Sequence, residues 1–393
     1  MGQYDFDTVI ERTNTCSSKW DLMTPLFGRN DLLPMWVADM DFKAPPEVSD
    51  VLRKRVEHGI YGYTKRMPSY YEAIVSWVAR RFGWTIKPEW ICHSPGVVPA
   101  LSMAILTYTQ PGDGVLIQPP VYYPFFDVIG GRGRRIVENP LRFTGDRFEI
   151  DFEDLERKLD PSVTMMFLCS PHNPVGRVWT REELTRIVDL CAERNVLIVA
   201  DEIHSDIVFP WAKHTPVASI SEKAASISLT TIAPSKTFNI AGLSTSMVIV
   251  PDDRLRKRYS NTISFLHIDG GNAFGTLACE AAYRMGEPWL EELMEYLRGN
   301  LEFLDSYLKA NIPEIRLIYP EGTYIPFLDC RTLKMNAKEQ QAFFVNEARV
   351  AMDGGNWFGT GGEGFARMNI ATPRALLREG LERIEKAVKA RRK

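Results

Sequence analysis

Residues 90–250 predict a doubly wound, mainly parallel α/β sheet. Seven short apolar runs, at 90–92, 115–117, 135–137, 163–169, 196–200, 227–232 and 247–250, alternate there with helical patterns. The runs are apolar almost throughout, without a polar residue at every second position, as strands covered on both faces are. Between two of them Thr180-Arg181-Glu182-Glu183 forms a capping box. It opens a helix that carries Leu184, Ile187, Val188 and Cys191 on one face. Strands that alternate with amphipathic helices indicate a layered α/β sheet and argue against a sandwich.

The ends of the chain read differently. Residues 287–310 carry Leu290, Leu293, Met294, Leu297, Leu301, Leu304 and Leu308, the stripe of a long amphipathic helix. A break at Pro320 and Gly322 follows, then a strand-like stretch at 324–328, a helix near 337–349 and a strand near 366–370. Thr372-Pro373 then starts a last helix, with Thr as cap and Pro in the first turn. The division expected is a large domain over 46–286 and a smaller α+β domain built from both chain ends, 1–45 and 287–393. The basic tail, Lys386 to Lys393, reads as a solvated helix end complementing the dipole.

Composition excludes several classes. Of 393 residues, 45% are apolar and 25% charged, too apolar and too evenly charged for disorder. Lys and Arg number 47 against 50 Asp and Glu, so no global field favours nucleic acid or an anionic membrane. The longest apolar runs are of core-strand size, well short of a spanning helix. The N-terminal heptapeptide, residues 1–7, lacks the basic and apolar regions of a signal peptide, and Phe6 stands where a myristoylation signal wants Ser or Thr. Six cysteines, Cys16, Cys92, Cys169, Cys191, Cys279 and Cys330, are scattered without a CxxC pair. That argues against zinc and against a disulfide scaffold, and points to a reducing cytoplasm. Cys169 and Cys191 read as small core residues.

In an open α/β sheet the ligand crevice lies beyond the carboxyl ends of the strands. Ser94-Pro95-Gly96-Val97-Val98-Pro99 follows the first run, Pro119-Pro120-Val121-Tyr122-Tyr123 the second, and Ser170-Pro171-His172-Asn173-Pro174 the fourth. Asp201-Glu202-Ile203-His204 and Ala233-Pro234-Ser235-Lys236 follow the next two. A glycine turn, an aromatic pair, an Asn, an Asp and a Lys thus converge on one edge. Pyridoxal 5'-phosphate (PLP) uses each of these groups. Its phosphate suits Gly96 with the Val97 and Val98 N–H groups at a helix start. Tyr122 or Tyr123 can stack on its ring. Asp201 can hold its ring nitrogen protonated, Asn173 can donate to its phenolic oxygen, and Lys236 can bond its aldehyde. Taken singly, each residue has a plain structural reading; in this order at successive strand ends, the joint reading is the stronger. His204 either approaches the phenolic oxygen or is a crevice histidine with its own partners.

Competing motifs fail on context. The GxGxxG match at 359–364 has no strong strand before it and no helix after it, and reads as a flexible loop. There is no GxxxxGK[ST] loop, no HExxH spacing and no GxSxG elbow.

Several blocks carry a closer resemblance: Phe6-Asp7 through Lys19-Trp20-Asp21, Pro34-Met35-Trp36-Val37-Ala38-Asp39-Met40-Asp41-Phe42, Tyr61-Gly62-Tyr63-Thr64 and Ala233-Pro234-Ser235-Lys236-Thr237-Phe238-Asn239. Trp357-Phe358-Gly359 and Gly364-Phe365-Ala366-Arg367-Met368-Asn369 continue it. With these the chain resembles, nearly end to end, fold-type I PLP enzymes of the class I/II aminotransferase superfamily, in the cystathionine β-lyase (MalY/PatB) branch. The resemblance implies a homodimer in which Tyr63 reaches the PLP phosphate of the neighbouring subunit. It also implies that Tyr122 stacks on the ring, that Tyr123 stands near the reacting carbon and that Ser235 contacts the phosphate. Arg367 would clamp the substrate carboxylate, helped by Asn173 and the Val37-Ala38 backbone; a guanidinium fork suits that partner. Many wider-family members carry an Arg eight residues after the lysine, where this chain has Ser244.

The activity expected is β-elimination from a sulfur amino acid such as L-cystathionine, giving homocysteine, pyruvate and ammonia. Lys236 serves as base, and Tyr123 or Lys236 protonates the leaving thiolate. The alternatives are an aminotransferase, which shares the early steps, and a regulatory protein that retains the fold.

Overall fold

The computed structural model describes residues 2–392. Met1 and Lys393, the ends of the N-terminal heptapeptide and of the basic tail, lie outside the described residues. All seven expected runs are strands of one sheet: β1 (Ile91–Ser94), β2 (Gly114–Ile117), β3 (Arg135–Glu138), β4 (Val163–Cys169), β5 (Leu197–Asp201), β6 (Ser228–Ile232) and β7 (Ser246–Ile249). Their order is β1-β7-β6-β5-β4-β2-β3. Neighbours from β6 through β3 are parallel, and β7 runs antiparallel to both β1 and β6.

The unbroken apolar run of β4 follows from two-sided burial. Met166 and Leu168 pack with Leu184, Ile187, Val188 and Cys191 of the helix Arg181–Glu193. Met165, Phe167 and Cys169 pack with Leu101 and Ala104 of the helix Val97–Tyr108 on the other face. Each such fully buried side chain contributes about 1.5–3 kcal/mol. The capping box forms as read: Thr180 accepts from Glu183 N, and the Glu183 carboxylate accepts from Thr180 N at 2.8 Å.

A second, antiparallel sheet is built from Arg316–Ile318, Phe327–Asp329, Phe365–Arg367 and Asp353–Gly354, in that order. The helix Glu287–Asn311 packs beside it and against the last helix, Arg374–Arg391. Leu33–Pro34 pairs in parallel with Val350–Ala351, which ties the start of the chain to its end.

Four local expectations change. The strand-like stretch 324–328 is a strand only over Phe327–Asp329, and the helix near 337–349 is α-helical over Ala337–Ala342, then a π-turn over Phe343–Ala348. Thr372 does not cap the last helix. Pro373 is its N-cap residue, and the free Arg374 N–H donates to the Tyr296 hydroxyl at 2.8 Å, so a tertiary partner replaces the side-chain cap. The loop at 359–364 is packed: Gly355 and Gly362 approach so closely that a Cβ on Gly355 would overlap the Gly362 carbonyl oxygen. Among the described residues all six cysteines are free, no His/Cys/Asp/Glu group is placed to hold a metal, and no helix is long and apolar enough to cross a membrane.

Candidate active site

A cavity of about 260 Å³ opens at the carboxyl edge of the central sheet, and the predicted residues line it: Val37, Ala38, Gly96, Val97, Val98, Tyr122, Tyr123, Asn173, Asp201, His204, Ser235, Lys236 and Arg367. A larger surface groove, about 990 Å³, runs beneath the N-terminal arm and contains none of them. Tyr63 is the exception. It stands fully exposed, outside the cavity of its own chain, in a stretch where Ile60, Tyr61 and Met67 are also exposed.

Each strand end places its group by local chemistry. Gly96 precedes the helix Val97–Tyr108, which has no side-chain cap. Pro99 brings no N–H, so Val97 and Val98 supply the first free donors at the positive end of the helix. The backbone of Gly96 is extended, and an added Cβ would meet only Pro99, at ordinary contact distance. Nothing in the chain itself demands glycine there.

Asp201 ends β5 and is buried; the one hydrogen bond to its carboxylate among the described residues comes from Ile203 N at 3.2 Å. Burial pushes its carboxyl up to about 7, against the pull of Lys236. A carboxylate so placed is short of a cationic donor. Lys236, on the short turn Pro234–Thr237 after β6, donates from Nζ to Ala38 O at 2.6 Å. Burial pulls its amine down to about 8, with Asp39 opposing. His204 is buried with Nδ1 unpartnered, and burial holds it down to about 3, the neutral imidazole. Tyr122 and Tyr123 lie with ring centroids 5.5 Å apart.

Arg367, which the sequence alone could not tell from a surface arginine, is 3% exposed. It donates to Asn173 Oδ1 at 2.9 Å, to Trp36 O at 3.1 Å and to the Asp353 carboxylate, and its guanidinium lies over the Phe358 ring at 4.9 Å. With Oδ1 of Asn173 engaged, the Nδ2 donors are the ones left to turn to a ligand. Residues 36–41 form a strap over Lys236. Asn369 Nδ2 donates to Val37 O and Asp39 O, and the Tyr324 hydroxyl donates to Ala38 O at 2.9 Å.

The sequence reading missed Thr245, which lines the cavity with its hydroxyl unpartnered among the described residues, as well as Cys169, Tyr324 and Asp353. No motif marks these residues; each is singled out only by where the chain brings it.

The donor set fits PLP on the protein's own terms. An uncapped helix start suits a phosphate, a buried carboxylate without a counter-charge suits a pyridinium N–H, and a lysine with a lowered pKa suits an aldehyde.

Comparison with known proteins agrees. The aminotransferase class I and II family matches residues 34–384. The chain is 46% identical to cystathionine beta-lyase PatB of Bacillus subtilis, over 98% of this chain and 100% of that protein. It is 32% identical to protein MalY of Escherichia coli, over 98% of this chain and 99% of that one. Cystalysin from Treponema denticola, whose crystal structure contains PLP, superposes with a TM-score of 0.95 at 39% identity, covering 98% of this chain and 99% of that one. A strand-end lysine, aspartate and asparagine around one cavity, on a chain similar over its whole length to these proteins, place it: it belongs to the class I and II aminotransferase family of PLP-dependent enzymes, in the cystathionine β-lyase branch.

Proposed function

We propose that the protein is a carbon–sulfur β-lyase that acts on L-cystathionine or a related cysteine S-conjugate and releases a thiol, pyruvate and ammonia. The observation that carries this reading is the meeting of Lys236, Asp201 and Arg367 in one cavity, in a chain 46% identical to a protein named cystathionine beta-lyase. Bound PLP supplies an aldehyde for covalent capture of the substrate amine and a ring that withdraws electrons from the α-carbon.

The chain's own residues do the rest. Val97, Val98 and Ser235 would hold the phosphate, Tyr122 would stack on the ring, and Asn173 and His204 would serve its phenolic oxygen. Arg367 binds the substrate α-carboxylate, with Asn173 and the Val37-Ala38 strap fixing its orientation. The neutral amine of Lys236, favoured by burial, removes the α-proton. As the β-carbon–sulfur bond breaks, Tyr123 or the protonated Lys236 delivers a proton to the departing thiolate. The unsaturated amino acid left behind hydrolyses to pyruvate and ammonia.

The same reading makes the active unit a homodimer, with Tyr63 reaching the partner's phosphate site; its full exposure beside Ile60, Tyr61 and Met67 supports this. It also divides the chain into 46–286 and a smaller domain of 1–45 with 287–393. The pairing of Leu33–Pro34 with Val350–Ala351 supports that division.

The test is release of pyruvate and free thiol from L-cystathionine by PLP-loaded protein with no 2-oxo acid added. Stoichiometric release of both is the expected result. Turnover that starts only when a 2-oxo acid is supplied would make the enzyme an aminotransferase, which shares the chemistry up to α-proton removal.

A further inference from the structure

Arg367 and Asp353 stand directly opposite each other on adjacent antiparallel strands, with side chains 3% and 1% exposed. Arg367 Nη2 donates to Asp353 Oδ2, while Asp353 Oδ1 and Arg367 Nε are buried without a partner among the described residues. A buried carboxylate oxygen left unsatisfied is unfavourable, so the pair has unused hydrogen-bonding capacity on both sides.

A substrate carboxylate that docks on Arg367 puts two carboxylates on one guanidinium in a site sheltered from water. Like charges so placed do not both stay ionised when one of them can take a proton at modest cost. We propose that Asp353 takes up a proton when a carboxylate ligand docks on Arg367, so that the clamp is proton-coupled instead of a fixed positive charge. The inference rests on the reading of Arg367 as the carboxylate clamp. The unpartnered Oδ1 is the atom that receives the proton, and Oδ2 keeps its bond from Arg367. Burial already holds the Asp353 carboxyl up to about 6, against the pull of Arg367.

The charged and titratable groups that face Asp353 are few. Arg367 comes from the adjacent strand, and the Tyr123 phenol feels its charge from the start of the helix Pro124–Gly130. The helix Ala337–Ala342, packed against this strand, carries Lys338 and Glu339, both exposed. The turn Gly355–Phe358 and the strands Leu33–Pro34 and Val350–Ala351 carry no titratable side chain. Lys236 and His204 lie on the far side of Arg367, near enough for its charge to act on both.

The probe is methylthiopropionate, a thioether carboxylate without an amino group, so no substrate ammonium titrates on binding. Its binding to the holoenzyme is measured calorimetrically at about pH 7.5 in buffers of low and high ionisation enthalpy, and its Kd across pH. The wild-type protein is expected to take up clearly more protons per ligand than Asp353→Asn. Its Kd rises by up to about tenfold per pH unit above the titration range of Asp353, while that of the variant stays flatter. Protons held where Lys236 joins the cofactor enter both measurements, so the difference between the two proteins reports Asp353.

The infrared difference spectrum of the wild type on ligand addition is expected to gain a protonated-carboxyl C=O band; this measurement needs no variant to fold. Equal proton uptake in both proteins, or no such band, overturns the inference while leaving the clamp intact. Arg367→Gln is expected to weaken binding at least tenfold. Undiminished binding in that variant overturns the clamp reading and, with it, this inference.

Discussion

The cofactor side and the substrate side of this cavity are built in different ways. Gly96, Tyr122, Asn173, Asp201 and Lys236 each end or follow a strand of one mainly parallel sheet, and the topology carries them to the same edge. Arg367 comes from the second sheet and the strap 36–41 from the start of the chain. The two meet because Asn369, Arg367 and Tyr324 bond to the strap's carbonyls and Leu33–Pro34 pairs with Val350–Ala351. A site edge made by sheet topology can be read along the chain, whereas a site edge made by two distant segments depends on their docking.

This contrast predicts a graded response. Lys236→Ala, on the topological side, is expected to lower kcat by about 10²- to 10⁴-fold while the far-UV circular dichroism stays unchanged. Full activity without this lysine would remove the basis of the proposed chemistry. Asp201→Asn keeps the shape and removes the charge, and a loss of about 10²-fold or more is expected, with weaker PLP retention on dialysis. Arg367→Gln, on the docked side, is expected to cost about 1.5–3 kcal/mol in kcat/KM, or roughly 10- to 160-fold, most of it in KM. If its effect fell on kcat alone, Arg367 would act on the reacting centre and not on the carboxylate.

A pH experiment sharpens the same comparison. Burial lowers Lys236 to about 8, so the reactive free amine grows as pH rises toward that value and levels above it. PLP uptake by cofactor-stripped protein, followed by absorbance, is expected to speed up by about tenfold per pH unit below 8 and then flatten. A profile still rising well above this pH would mean that the lysine is solvated in the free protein.

Several elements show where local reading succeeds. The capping box at Thr180 and Glu183 and the stripe along Glu287–Asn311 depend on contacts within a few residues, and both form where the sequence places them. The central strands β2, β4 and β5 were legible because burial on both faces favours apolar residues, whereas the edge strand β3 carries Arg135 and Glu138 and is not buried. Local reading fails where a distant partner takes over. Tyr296 satisfies the Arg374 N–H, so Thr372 is not needed as a cap, and the helix after Asn336 loosens into a π-turn. Arg367 looked like any arginine because its burial comes from Phe358, Trp36 and Asp353, all brought to it by the fold.

The chain alone therefore specified the sheet, the order of groups along its edge and the cofactor those groups suit, because strand polarity and helix starts are local properties that one parallel topology adds up. The tertiary structure alone decided how the strap closes over Lys236, which acid faces Arg367 and which hydroxyls and ring nitrogens remain unpartnered. Those outcomes depend on the packing of segments some 300 residues apart, such as Trp36 and Arg367, and on the burial that this packing imposes.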